Sequence, residues 1–193
     1  MLAIAAALTA CGSSGSKPPS PTATATARPS ATATPTGTAT GGSPQATPFQ
    51  GSRGPFSGPG TVTAPPALLS DVRAARQAGF DRVVFEFSNG LPAYRVEYVQ
   101  PPIILDPSGQ TVQVKGAAFL KVTFMGGAAH NDAGNPTFGS TDLMPNLQSV
   151  LEVRQTGDFE AVLTWVIGLT KAADLTVTTL TGPSRLVIDI AQP

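Results

Sequence analysis

Two stretches of the chain alternate apolar and polar residues on one shared design. In Phe80-Asp81-Arg82-Val83-Val84-Phe85-Glu86-Phe87, a strand's period of two puts Val83, Phe85 and Phe87 on one face and Arg82, Val84 and Glu86 on the other. Near the C-terminus, Ser184-Arg185-Leu186-Val187-Ile188-Asp189-Ile190 repeats the order arginine, aliphatic, valine, large apolar, acid, large apolar. There Leu186, Ile188 and Ile190 face a core while Arg185, Val187 and Asp189 face away. Each polar face carries a base at one end and an acid at the other. Strands of this kind lying side by side can pair charges across the ladder, for roughly 0.2 to 1 kcal/mol per pair.

The same rhythm continues between the twins. Residues 94–99 alternate, with Tyr94, Val96 and Tyr98 on one face, and Pro101-Pro102 stops them. Residues 103–105 run into a turn at 106–109, residues 111–115 and 119–124 flank Gly116, and residues 175–180 lead to a turn at Gly182-Pro183. Residues 149–155 and 159–167 read as a hairpin joined through Thr156-Gly157-Asp158. In it Phe159, Ala161, Leu163 and Trp165 share the inner face, Val162 and Val166 mark a partly covered outer one, and Gly168 ends the strand. Residues 67–78 fit two elements, since Leu68, Leu69, Val72 and Ala75 suit a short amphipathic helix while Leu69-Ser70-Asp71-Val72 equally starts a strand. Short strands at close spacing predict an all-β antiparallel sandwich or barrel rather than a parallel sheet with crossover helices. Residues 126–146 follow neither period, and a long connection of that kind within a domain is either functional or disordered.

Composition divides the chain. Of the 49 residues from 12 to 60, 42 are Pro, Thr, Ser, Ala or Gly, and the only charges are Lys17, Arg28 and Arg53. Such a segment has too little to bury to offset the entropy of ordering it. It predicts a disordered stalk, spanning on the order of 40 Å as a coil and about 150 Å in polyproline II form, of a composition that also carries O-linked sugars. Residues 61–193 hold nine bases against twelve acids, which argues against a polybasic nucleic-acid binder. They suffice for one domain with its own core.

Cys11 is the only cysteine, which excludes an internal disulfide framework and a cysteine-based zinc cluster. Leu8-Thr9-Ala10-Cys11 resembles the lipobox of bacterial lipoproteins. The resemblance implies a signal peptide over residues 1–10, acylation of Cys11, a stalk over 11–60, and a domain over 61–193 held at the extracytoplasmic face of the cell membrane. The apolar run from Leu2 to Leu8 is short and no base precedes it, so an upstream start codon is expected.

Residues 79–87, Tyr94 through Val99, Ala129-His130, Gly157-Asp158-Phe159-Glu160, Gly168-Leu169 and residues 183–189 together resemble the AMIN-like domain family of actinobacterial lipoproteins. That family is similar to AMIN domains, β-sandwiches with an internal pseudo-repeat that bring cell-wall amidases and secretion pores to the envelope by contact with peptidoglycan. The resemblance implies a strand at 69–75, an antiparallel sandwich in which the twinned strands are the pseudo-repeat, and a partner that is peptidoglycan, another wall glycan or an envelope protein.

Candidate chemistry is sparse. A zinc amidase needs several His and acidic ligands, and this chain has one histidine, so neither a metal nor another cofactor is expected. A hydrolase would rely on His130 with Asp132 or Asp158, but no Gly-x-Ser-x-Gly elbow occurs, and the reading is of a domain that is not an enzyme. His130, Asn131, Asp132 and Thr137 are candidates for a polar ligand site in the long loop, and Arg82, Glu86, Arg185 and Asp189 for a charged binding strip. Each group has a plain alternative, a solvated loop and a cross-strand network. Tyr94, Tyr98 and Trp165 would suit stacking on sugar rings, although Trp165 alternates with Phe159 and Leu163 as a core residue does.

Overall fold

The computed structural model describes residues 48–62 and 66–193. Among them are thirteen strands: β1 (Phe56–Gly58), β2 (Ala67–Arg76), β3 (Phe80–Ser88), β4 (Ala93–Val99), β5 (Ile103–Ile104), β6 (Thr111–Val112), β7 (Ala118–Met125), β8 (Gly127–Ala128), β9 (Asp142–Leu143), β10 (Val150–Phe159), β11 (Val162–Leu169), β12 (Leu175–Leu180) and β13 (Ser184–Ala191). They build a six-stranded sheet in the order β1-β4-β7-β11-β10-β9, a five-stranded sheet in the order β12-β13-β3-β2-β8, and a small flap of β5 and β6. Pairing is antiparallel except where β8 joins β2.

The fold is the expected all-β sandwich, and residues 67–76 are strand, not helix. Its core lies where the inward residues of the two large sheets meet. Phe85 packs edge-on against Phe124 (5.3 Å between ring centroids) and Trp165 (5.8 Å), and Phe87 against Phe124 (4.8 Å). Around these rings Val83, Leu186, Ile188 and Ile190 from one sheet and Val96, Leu120, Val122, Leu163 and Ile167 from the other are completely buried. Fully burying one such side chain contributes about 1.5–3 kcal/mol.

The twins are neighbours. β3 and β13 pair antiparallel at the centre of the five-stranded sheet, Val84 opposite Val187, Arg82 opposite Asp189 and Glu86 opposite Arg185. Opposite chain direction makes two copies of one charge pattern complementary.

Asp81 extends the inward face of β3 yet has a polar side chain, and it is wholly buried. Its Oδ2 accepts the Ser149 N–H (2.5 Å) and the Val150 N–H (3.1 Å), and its Oδ1 accepts from Gln192 Nε2 (3.0 Å). A carboxylate from one sheet thereby satisfies the backbone where the other sheet's β10 begins, in place of ladder partners.

Several boundaries differ from the sequence reading, each for a local reason. The hairpin turns at Glu160-Ala161, both at positive φ (49° and 59°), not at Thr156-Gly157-Asp158. Those three residues continue β10 through a bulge between Gln155 and Gly157. Phe159 stands at the hairpin tip, 48% exposed instead of in the core. β11 runs past Gly168 to Leu169, and only Thr111 and Val112 of residues 111–115 form a strand. Residues 126–146 include β8, which edges one sheet, and β9, which edges the other, so the long connection crosses from sheet to sheet. Phe138 on the way packs against Trp165 at 6.3 Å. The sandwich also begins before residue 61. Phe49 packs on Phe80 (6.0 Å), Ser52 pairs with Leu175, and β1 adds to β4. Two aromatics and a short edge strand suffice there, although the surrounding Pro and Gly read as stalk. The proposed signal peptide, Cys11 and the stalk up to residue 47 lie outside the described residues.

The flap covers part of the outer face of the six-stranded sheet, which explains the apolar Val162 and Val166. Val166 forms a second small apolar cluster with Ile103 and Val114. Two glycines let the flap come close. A Cβ on Gly168 would collide with the Lys115 carbonyl oxygen, and one on Gly157 would lie 3.0 Å from the Asp106 Cβ. The Asp106 N–H donates to the Thr156 carbonyl (2.7 Å), and buried Glu152 accepts the Lys115 N–H (2.6 Å).

Two predictions follow from these contacts. Asp81→Ala strands two backbone N–H groups and lowers unfolding free energy by about 3 kcal/mol in urea titration, and a loss under about 1 kcal/mol would contradict the bridging role. Tyr98 donates its hydroxyl to the Ala173 carbonyl (2.8 Å) and accepts the Ala173 N–H (3.0 Å), and burial pushes its phenol up despite the first of these bonds. A raised folded pKa favours the neutral form, so this stabilisation is complete below about pH 10, the unfolded value, and fades as pH rises through the folded one. Tyr98→Phe removes the hydrogen bonds, at about 1 kcal/mol, and flattens the loss of stability above that pH. An unchanged alkaline slope would refute the assignment.

Candidate functional site

The residues singled out in the sequence fall into two groups, and no hydrogen bond or ion pair joins them. The first lies on the outer face of the five-stranded sheet. Arg82 forks onto Asp189, Nε to Oδ1 at 2.7 Å and Nη2 to Oδ2 at 2.8 Å, with its guanidinium 5.3 Å from the centroid of the Phe80 ring. The Asp189 carboxylate holds Arg82 above the ordinary arginine value. Glu86 is taken not by Arg185, its register partner, but by Arg73 of β2 at 3.1 Å, which also holds Asp71 at 2.5 Å. Arg185 makes no ion pair among the described residues and donates only to the Pro183 carbonyl at 3.3 Å. Between these rungs Val84 and Val187 are 7% and 6% exposed. Three of the four strip residues are therefore engaged in a cross-strand network, and Arg185 is the cation still open to a ligand.

The second group sits where the chain leaves β8. His130 Nδ1 lies 2.7 Å from Asp158 Oδ2, which also accepts the Ala129 N–H at 3.1 Å. Of the two acids considered for this histidine, β10 supplies the partner, and Asp132 stays exposed in the loop. Asn131 turns its Oδ1 back onto the N–H groups of Ala133 (3.1 Å) and Asn135 (3.0 Å), the self-capping for which asparagine is selected in loops. Thr137 donates its hydroxyl to the Leu69 carbonyl at 2.7 Å, beside the bulge in β2, and so pins the loop to the sheet. A shallow cavity of about 260 Å³ remains, lined by Pro66, Ala128, His130, Asn131, Asp132 and Gly134. His130 Nε2, the Asn131 Nδ2 amide and the Asp132 carboxylate are groups in it that make no hydrogen bond to a described residue.

This arrangement can hold a small polar group. An Asp-oriented histidine is also the orienting half of an acid–base pair, but no serine hydroxyl bonds to His130 among the described residues. Trp165 is completely buried and Tyr94 is 9% exposed, so neither ring offers a face for sugar stacking. Sequence reasoning missed Asp81 and Glu152, buried carboxylates that bond backbone N–H groups, because an acid turned toward the core or covered by the flap has no periodic signature.

The strip yields a contrast. Arg82→Ala costs about 1 kcal/mol in chemical unfolding by freeing a carboxylate only 16% exposed, whereas Arg185→Ala stays within about 0.5 kcal/mol. Equal losses would contradict the unequal pairing.

The family model described as AMIN-like domain matches residues 67–192. No curated protein and no solved structure matches the chain. The match spans β2 to the end of β13, nearly the whole of both sheets, and on that ground the chain belongs to the AMIN-like domain family.

Proposed function

We propose that the chain is a non-catalytic module of the cell envelope, anchored through an acylated Cys11 on the extracytoplasmic side of the membrane and binding peptidoglycan or another wall polymer. The observation that carries this reading is the family match over residues 67–192, which makes the domain cell-wall-related. The lipobox-like Leu8-Thr9-Ala10-Cys11 and the Pro/Thr/Ser/Ala/Gly composition that follows it support an anchor and a stalk long enough to clear the lipid headgroups. The side-chain inventory supports binding over catalysis. Thr137, Arg82, Glu86, Asp189 and the Asn131 carbonyl oxygen are spent on holding the fold, and His130, Asp132 and Arg185 stay open to contact a polar polymer.

Sedimentation with purified cell wall tests the reading. The chain is expected to pellet with the wall above a control protein, and His130→Ala combined with Asp132→Ala to weaken retention. Failure of the unmodified chain to pellet would sink the proposal.

One observation favours a second reading, a module that recruits an envelope protein. Leu175 turns its N–H and carbonyl outward to Ser52 (2.8 and 3.1 Å), so by strand alternation the backbone groups of Val177 and Thr179 also point off the sheet edge. No described residue pairs with them, and β12 carries no charge or proline to blunt its edge. Crosslinking in cells separates the two, because capture of one protein that persists after wall digestion favours recruitment.

A further inference from the structure

A cleft larger than the cavity beside His130 lies away from both candidate groups, between the flap and the outer face of the six-stranded sheet. It encloses about 460 Å³, and its lining includes Lys121, Thr123, Thr164, Val166, Gln100 and Asp106. That volume is within the range of small-ligand sites, about 300 to 1,000 Å³, and accommodates about three small amino-acid residues.

Its construction is specific. Outer faces of antiparallel sheets ordinarily meet water, but here the flap is fastened on one side by the Asp106 N–H to Thr156 and on the other by Lys115 to Glu152. Gly157 and Gly168 leave room for both fastenings. The fastenings fix the walls of the cleft.

Two opposite charges border the cleft unspent. Glu97 stands opposite Lys121 in the β4–β7 register, but Arg95 takes its carboxylate at 2.7 Å. Lys121 and Asp106 make no ion pair with any described residue. Thr123 and Thr164 face each other across β7 and β11 and set a pair of side chains with hydroxyls on the floor. Val162, Val166 and Ile103 supply its apolar part. No aromatic side chain lines it, so it lacks the platform on which a sugar ring stacks.

We propose that this cleft binds a short peptide carrying both a free amine and a free carboxylate, the carboxylate on Lys121, the amine on Asp106, and the peptide amides on Thr123, Thr164 and Gln100. This deepens the envelope reading only in naming peptide, not glycan, as what this cleft takes from the wall. The cleft itself stands on its own geometry.

The experiment uses the purified chain and titrates tri-alanine, tri-alanine acetylated at its N-terminus, tri-alanine amidated at its C-terminus, and chitotriose, following backbone amide shifts. Tri-alanine is expected to move the amides of Thr123, Thr164 and Val166. Each blocked peptide should bind at least roughly tenfold more weakly, because each loses one charge-assisted contact, and chitotriose should leave these amides unmoved. Lys121→Met and Asp106→Asn, both substitutions of surface side chains, should each weaken tri-alanine by a similar factor with the remaining amide spectrum unchanged. No shift at the cleft with tri-alanine, equal binding of the blocked peptides, or chitotriose moving the same amides would overturn the proposal. Wall sedimentation of the Lys121→Met, Asp106→Asn double variant separates the two levels. Retention at the unmodified level together with a silent tri-alanine titration ends the peptide cleft and leaves the envelope reading standing, whereas loss of pelleting by the unmodified chain ends the latter.

Discussion

The antiparallel pairing of β3 with β13 is the constraint on which the rest of the molecule depends. It joins segments about as far apart as the domain allows, with Arg82 and Asp189 separated by 107 positions. It also places the two most regular amphipathic strands at the middle of the five-stranded sheet, where both inward faces are buried. Once they are side by side, Val83, Phe85 and Phe87 with Leu186, Ile188 and Ile190 present a single apolar surface, and the opposite sheet closes over it through Phe124 and Trp165. The charge pattern then selects direction. Parallel copies would bring arginine toward arginine, whereas antiparallel copies bring Arg82 to Asp189.

Satisfaction of the backbone at the ends of this pair is the second requirement. Asp81, one step beyond the apolar run of β3, reaches the first N–H groups of β10, and Gln192, one step beyond β13, reaches Asp81. The ends of both central strands and the start of a strand in the other sheet therefore share one carboxylate. Glu152 does the same for the flap through the Lys115 N–H. Buried acids in this protein act as backbone acceptors, and the exposed polar groups that remain are the ones open to ligands.

Periodicity made the fold legible where strands are long and amphipathic. β3, β4, β7 and β13 stand out because their inward residues are large and their outward ones polar. It failed where neighbours, not local pattern, decide. Glu160 and Ala161 adopt positive φ without being Gly or Asn, while Gly157, which reads as the turn, is small because Asp106 leans on it. β8 and β9, two residues each, exist only because β2 and β10 offer them an edge. At the candidate site the loop with His130 was legible as an unpatterned polar stretch. That Asp158 rather than Asp132 holds the histidine was not, since it depends on a strand 28 positions away. The cleft between flap and sheet left only a faint trace, the apolar Val162 and Val166 on a face that should be polar.

An AMIN-like sandwich with many of its charges spent on its own architecture presents only a few open polar groups. Its stability rests on the central pair, and native-state hydrogen exchange measures that pair directly. The amides bonded between β3 and β13 should be among the slowest in the domain and exchange only with global unfolding, their protection falling with denaturant at the global slope. Exchange of these amides through a local opening, while β7 and β11 stay protected, would contradict the claim that the paired twins hold the structure together.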